Sequence, residues 1–336
     1  MKKILVPGGT GVMGTYLVPE LLKLGYAVDV VSLDERTSDN PNLRYFTANF
    51  LDDAIAREIL ANDYDGMVDF MRYSSASFPA KCRLYCENVG HYVHLSSYRV
   101  YADEEHPVRE TSPRLLDTAT EAEFLATDDY CLCKARNENT LLASGYTNWT
   151  AVRPAVIFST QRFQLVTMEA DVLVPCARSG MPIAFPEEAA DVHAAMCWGG
   201  DAAKMIARLV LNDAAKGEIY TIANGEAPTW TEIAGYYRDL LGLKTISMPA
   251  EEYLKIRGSG KISNGVRWQL AYDRLFDRTM DNSKILAATG LTNSDFVSVY
   301  DGLRYELSSL TDSMYTGWNS ICETMRAYLD AHNIKY

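Results

Sequence analysis

Gly8-Gly9-Thr10-Gly11-Val12-Met13-Gly14 lies between a short apolar run, residues 3–6, and an amphipathic stretch over 12–24. This glycine spacing constrains the chain more than any other feature. A turn so tight needs glycine, because a Cβ would block the close approach of backbone to strand, or to a bound pyrophosphate. The helix that follows offers free N–H groups and a partial positive charge, which suit an anion. Gly25 stops that helix. The strand–turn–helix setting is what separates this loop from a glycine-rich turn that serves packing alone.

Asp34 falls twenty positions after Gly14, where a second apolar run (27–33) ends. A carboxylate there accepts hydrogen bonds from a ribose and repels a 2′-phosphate. Glu35 adds to the negative field and Arg36 opposes it. The expected cofactor is therefore NAD rather than NADP.

Apolar runs and helical patterns go on alternating, as βαβ units do. Strands are expected over 44–47, 66–71, 92–96 and 150–157, with helices over 76–87 and 129–144. A helix over 201–211 and a strand over 218–222 should return to the same sheet. The fold class is α/β: a Rossmann-type doubly wound parallel sheet with a smaller, mostly helical C-terminal substrate lobe. Residues 1–160 and 200–224 form the dinucleotide-binding domain, and 161–199 and 225–336 the lobe. A helix is expected over 231–241, and helices with polar interruptions from about 249 onward.

The formal net charge of −12 and the absence of a basic cluster argue against a nucleic-acid partner. No run approaches the ~18 apolar residues of a membrane span, and the opening run is too short for an export signal. Seven scattered cysteines fit reduced thiols, so a cytoplasmic protein is expected. His91 and His94 lie three apart in a strand, on opposite faces, and no metal site is expected.

Tyr130 and Lys134 are four apart, on one face of a helix. An ordinary phenol titrates near ~10, and a neighbouring cation favours its anionic form, as acid–base work at neutral pH requires. The strand before this helix ends in Ser96-Ser97-Tyr98-Arg99-Val100-Tyr101. Functional groups in such sheets gather at the carboxyl ends of strands, so Ser97 can donate a hydrogen bond to the oxygen that Tyr130 serves.

Gly8, Gly11 and Gly14, then Asp34, the Ser97-x-x-Val100-Tyr101 element, Tyr130-x-x-x-Lys134 and Arg153-Pro154 follow one another in a known order. The chain resembles the extended short-chain dehydrogenase/reductases, the NAD-dependent epimerase/dehydratase family, over about residues 1–160. The resemblance implies Ser97, Tyr130 and Lys134 as catalytic residues. It implies cofactor contacts from Gly8, Thr10, Gly11, Val12, Met13, Gly14, Asp34, Glu35 and Arg36. Asn49 and Phe50 should sit by the adenine, and Met71, Arg72, Ser96, Tyr130, Lys134, Pro154 and Val156 should complete the cofactor site. Tyr73, Tyr98, Arg99, Phe158 and Arg162 are the candidate substrate contacts. A homodimer through the helices on one sheet edge, the Tyr130 helix among them, is a further implication of the resemblance.

Departures from the family pattern narrow the chemistry. The Thr-Asp-Glu run of nucleotide-sugar 4,6-dehydratases is replaced by Ser97-Tyr98-Arg99, so 4,6-dehydration is not expected. An asparagine that meets nucleotide sugars is replaced by Val156. Where the family has small residues after the fourth strand, this chain has Met71-Arg72, and Arg72 could hold an anionic substrate group or the pyrophosphate. The acid-rich segment 102–128 is expected to cover part of the site. The expected activity is NAD-dependent redox or epimerase chemistry on a sugar-like hydroxyl or carbonyl. The alternative is a non-catalytic relative that senses dinucleotide or binds RNA.

Overall fold

The computed structural model describes all 336 residues. Strands β1 (Lys3–Pro7), β2 (Ala27–Ser32), β3 (Leu43–Thr47), β4 (Gly66–Asp69) and β5 (Tyr92–Leu95) are joined by α1 (Gly14–Lys23), α2 (Asp53–Leu60) and α3 (Phe78–Asn88). After β5 come short helices α4 (Leu115–Thr118) and α5 (Ala122–Leu125), then α6 (Tyr130–Ala143), β6 (Trp149–Pro154) and β7 (Val156–Phe158). Helix α2 was not foreseen. Its signal is local: the Asp52 carboxylate caps Ala54 and Ile55 N–H, and Ala56, Ile59 and Leu60 form the buried stripe.

The second half adds β8 (Gln164–Leu165), β9 (Met168–Glu169), α7 (Ala170–Ser179), β10 (Ile183–Pro186), β11 (Met196–Trp198), α8 (Gly199–Leu209) and β12 (Glu218–Ile222). Next are α9 (Trp230–Leu241), β13 (Thr245–Met248), α10 (Ala250–Arg257) and α11 (Asn264–Gln269). The chain ends with α12 (Ser283–Thr289), α13 (Val299–Ser308) and α14 (Ser320–Ala331).

Seven strands form one sheet in the order β12-β6-β5-β4-β1-β2-β3, and every pairing in it is parallel. β1 and β4 are buried along almost their whole length, as a sheet covered on both faces requires. From β1 the chain builds outward through β2 and β3, then crosses to build the other way from β4. The crevice at the carboxyl ends of β1 and β4 is thus the topological switch point, where ligands of open α/β sheets bind. The expected late strand is β12, at the sheet edge beside β6.

Two expected strands end early, for visible reasons. The run 150–157 is not one strand: β6 leaves the main sheet at Ala155, and Val156 turns its N–H to the Ala195 carbonyl. Residues of β7 then pair with β11 in a separate two-stranded sheet. The run 66–71 stops at Asp69, whose carboxylate takes the Met71 N–H at 2.9 Å and turns the chain.

One apolar cluster runs from Ile4 through Phe158 and Ile233 to Leu329, so the sheet and the C-terminal helices share a core. A second, smaller cluster (Leu5, Phe50, Phe78, Tyr85, Tyr92) fills the space under α2 and α3. His91 is a packing residue bonded to Thr150 Oγ1 at 2.8 Å, and no group of His, Cys, Asp or Glu is placed to hold a metal. All seven cysteines are free and buried, and no helix is long and apolar enough to cross a membrane.

Candidate active site

The glycines of the first loop have separable reasons. Gly8 adopts φ 75°, where a Cβ is strained. A Cβ on Gly14 would lie 2.5 Å from the Gly9 backbone, so Gly14 lets α1 pack on the loop. Gly11 is different. Its φ is not positive, and a Cβ there would meet nothing closer than the Gly8 carbonyl at 3.4 Å. Packing within the chain does not require glycine at 11, and the space beside its backbone is open to a ligand. The N–H groups of Thr10, Val12, Met13 and Gly14 have no acceptor within the chain, which leaves free donors at the start of α1. These features fit a dinucleotide pyrophosphate.

Asp34 stands just past β2, exposed, its N–H on Ser32 Oγ at 2.9 Å. Hydrogen bonds from Thr10 and Ser32, with Arg36 nearby, hold its carboxyl below the usual range. Thr10 and Ser32 are themselves bonded at 2.8 Å, tying this acid to the glycine loop.

The Asp129 side chain caps α6 by accepting the Cys131 N–H at 3.2 Å, which sets Tyr130 at the first turn. Asp128 accepts from Ser75 N and Oγ, at 3.0 and 2.6 Å, and Cys133 Sγ bonds the Tyr73 carbonyl. The segment after β4 is thereby bound to α6, with the Arg72 guanidinium 5.5 Å from the Tyr130 ring centroid. Lys134 is buried, 5.8 Å from the same ring, and donates to the Leu95 carbonyl at 2.5 Å. Behind it the buried Glu138 joins Ser96 (2.5 Å) and Arg153 (2.7 Å), locking α6 to β5 and β6.

Ser97 Oγ accepts from the Arg99 N–H at 3.2 Å, which leaves its own hydrogen free to donate. Ser97, Tyr130, Val12, Met13, Pro154 and Val156 line one cavity of about 340 Å³. The structure therefore brings the loop, the serine and the phenol together. Leu95, Ser96, Tyr98, Ala155 and Ile157 complete its inner wall. Arg72, Arg99, Arg162 and Arg274 also line it, together with Gln269.

Three expected contacts are displaced. Tyr73 is buried, with its hydroxyl on Tyr85 (2.9 Å) and Asp69 (3.3 Å), and faces the core rather than the cavity. Phe158 is fully buried, its ring against Gly302. The Phe50 side chain is stacked on Tyr85 at 5.7 Å and offers nothing to an adenine. Asn49, Glu35 and Arg36 stay at the surface. Met71 abuts the glycine loop, its Sδ 3.6 Å from where a Gly8 Cβ would be. Segment 102–128 contributes no residue to the cavity wall. Its Leu115 and Phe124 pack with Leu132 and Trp268 instead.

Gln269 and Arg274 were missed. Both come from the chain's last quarter, and Arg274 carried one signal, a charge inside the run Leu270–Arg274, next to Asp273. It is buried, donating to the Val166 carbonyl at 2.7 Å and to Tyr98 Oη at 2.5 Å. Burial pushes Asp69, between Tyr92 Oη (2.9 Å) and the Met71 N–H, up to about 6.

A family model described as the NAD dependent epimerase/dehydratase family matches residues 4–78, which hold the glycine loop and Asp34 but not Ser97, Tyr130 or Lys134. No curated protein matches the chain in sequence. Among solved structures, WbmH of Bordetella bronchiseptica in complex with NAD+ is 15% identical, with TM-score 0.67 over 93% of this chain and 99% of that one. UDP-glucuronic acid 4-epimerase from Bacillus cereus, with UDP-glucuronic acid and NAD, is 14% identical, with TM-score 0.65 over 91% and 98%. The dTDP-glucose 4,6-dehydratase of Bacillus anthracis, in complex with NAD, is 15% identical, with TM-score 0.65 over 92% and 96%. At these identities the likeness is one of fold. The chain therefore carries a segment similar to the NAD-dependent epimerase/dehydratase family over residues 4–78, and shares the fold of these NAD-bound structures along nearly its whole length.

Proposed function

We propose that the chain is an NAD-dependent epimerase or dehydrogenase acting on a hydroxyl or carbonyl of a sugar or nucleotide sugar. The observation that carries this reading is a single cavity walled by Val12 and Met13 of the glycine loop and by Ser97 and Tyr130. The Gly11 backbone and the unpaired N–H groups would hold the pyrophosphate, and Asp34 the adenosine ribose. NAD, when bound, supplies a hydride acceptor. Tyr130 takes the proton of the substrate hydroxyl as it becomes a carbonyl, and returns it in the reverse direction. Ser97 donates a hydrogen bond to the same oxygen, and the Lys134 ammonium stabilises negative charge on the phenol.

Dehydration at the neighbouring carbon needs an acid and a base at 98 and 99. Here Tyr98 is held by Arg274, and Arg99 is a cation. The B. anthracis dehydratase shares the fold, and this reading separates its chemistry from that of the present chain. We further read residues 161–199 and 225–336 as the substrate lobe, the Tyr130 helix α6 as part of a homodimer face, and the cytoplasm as the compartment. Calorimetric titration with NAD tests the proposal; a folded chain that takes up no dinucleotide refutes it.

A further inference from the structure

Positive charge at the cavity exceeds what the chain neutralises. Arg99, Arg274 and Arg278 share one buried carboxylate, Asp273, with Nε of Arg99 at 3.2 Å and Nε of Arg278 at 3.6 Å. Arg162 reaches Glu169 only at 3.8 Å. Arg72 makes no hydrogen bond or ion pair within the chain, and its neighbour Asp128 is engaged by Ser75 and Arg136. Four guanidinium groups of the cavity wall, with Arg278 beside Asp273, thus stand against two carboxylates, and the Lys134 ammonium is close by. The least-paired of them, Arg72 and Arg162, are at least partly exposed, so their guanidinium groups are free to meet an anion entering the cavity through charge-assisted hydrogen bonds.

The unmatched charge has a definite place. Arg72 and Arg99 lie 5.5 and 5.2 Å from the ring centroid of Tyr130. Each guanidinium thus stands beside the phenol, so an anion held by either lies within a few bonds of any carbinol that Tyr130 deprotonates. A nucleotide's diphosphate, set at the far end of a sugar ring, does not meet that requirement. Resting on the reading of Tyr130 as the acid–base group, we propose that the substrate is itself an acid. Its reacting carbinol has a carboxylate or phosphate a few bonds away, gripped by Arg72 and Arg99.

Calorimetric titration of the NAD-loaded full chain with glucuronate, glucose 6-phosphate and glucose tests this. At least one acid is expected to bind tenfold or more tighter than glucose, and which one does so tells carboxylate from phosphate. Arg72→Gln and Arg99→Gln should each reduce that preference fivefold or more, with NAD affinity kept within threefold. Arg99→Lys, which preserves the charge, should retain part of it, and Tyr130→Phe should leave it intact. The proposal is overturned if neither acid exceeds glucose, or if the preference survives both glutamine variants. It is also overturned if Arg72→Gln weakens NAD while sparing the acid, which would assign Arg72 to the pyrophosphate. The same titrations without NAD keep the two readings apart. Acid binding in a chain that takes no dinucleotide would sink the cofactor reading and leave the anion site standing.

Discussion

Lys134 lies one helical turn below Tyr130, 5.8 Å from its ring, and is held there by the Leu95 carbonyl at the end of β5. That bond fixes the ammonium between the serine-bearing strand and the phenol-bearing helix. Lys134→Met removes the cation and leaves a carbonyl unsatisfied, a loss of about 1–3 kcal/mol where such a group stays buried. Turnover should fall at least tenfold, with a lower melting temperature measured in parallel. Unchanged turnover would leave the lysine a packing role only.

Gly11 separates ligand binding from folding. Because an added methyl meets only ordinary contacts within the chain, Gly11→Ala should melt within about 2 °C of the parent. NAD affinity, read by calorimetry, should nevertheless fall tenfold or more. A variant that keeps its affinity would remove the cradle from the account.

Cofactor choice should reside in Asp34. The parent is expected to bind NAD more tightly than NADP. Asp34→Ala should narrow the gap, since a carboxylate where a 2′-phosphate would sit is then gone. Equal affinities in the parent, by titration of both dinucleotides, would contradict this.

Asp69 gives a pH signature. Burial raises its folded value to about 6 from an ordinary 3.8, so between these pH values the folded chain binds the extra proton. Its contribution to stability is therefore most favourable below pH 4 and is lost as pH rises through 6, by roughly 3 kcal/mol. His91, pushed down to about 4 by burial, works in the opposite sense over nearly the same window. The parent's profile alone is thus uninformative, and the difference from Asp69→Asn is the quantity to measure. Denaturant unfolding from pH 4 to 8 should show the asparagine variant gaining on the parent as pH rises. A flat difference would mean that Asp69 does not titrate in this range.

Much of this site can be read from local pattern. The glycine loop, Asp34, the Ser97 corner and the Tyr130 helix each depend on residues within one turn or one strand end, where spacing dictates geometry. What escaped reading depends on distant pairing. Nothing within 150–157 says that Val156 will join Met196 rather than continue beside β5. Tyr73 and Phe158 sit in or beside the expected site by position, but which face they turn inward is decided by Tyr85 on the next helix and by Gly302, far along the chain. Arg274 reaches the cavity only because the last third of the chain folds back over the sheet. A single buried charge next to an acid is a weak cue for that.

The mechanism depends most on Tyr130, and the decisive measurement is turnover by Tyr130→Phe. With NAD-loaded protein and a panel of sugars, sugar acids and nucleotide sugars, NADH absorbance follows net oxidation, and proton magnetic resonance follows epimerisation. The parent should act on at least one compound. The phenylalanine variant should fold, bind NAD normally and lose about a hundredfold or more of that turnover. Ser97→Ala should lose only about fivefold, as befits one neutral hydrogen bond of about 1 kcal/mol. Near-normal turnover by folded, NAD-bound Tyr130→Phe protein would contradict the account.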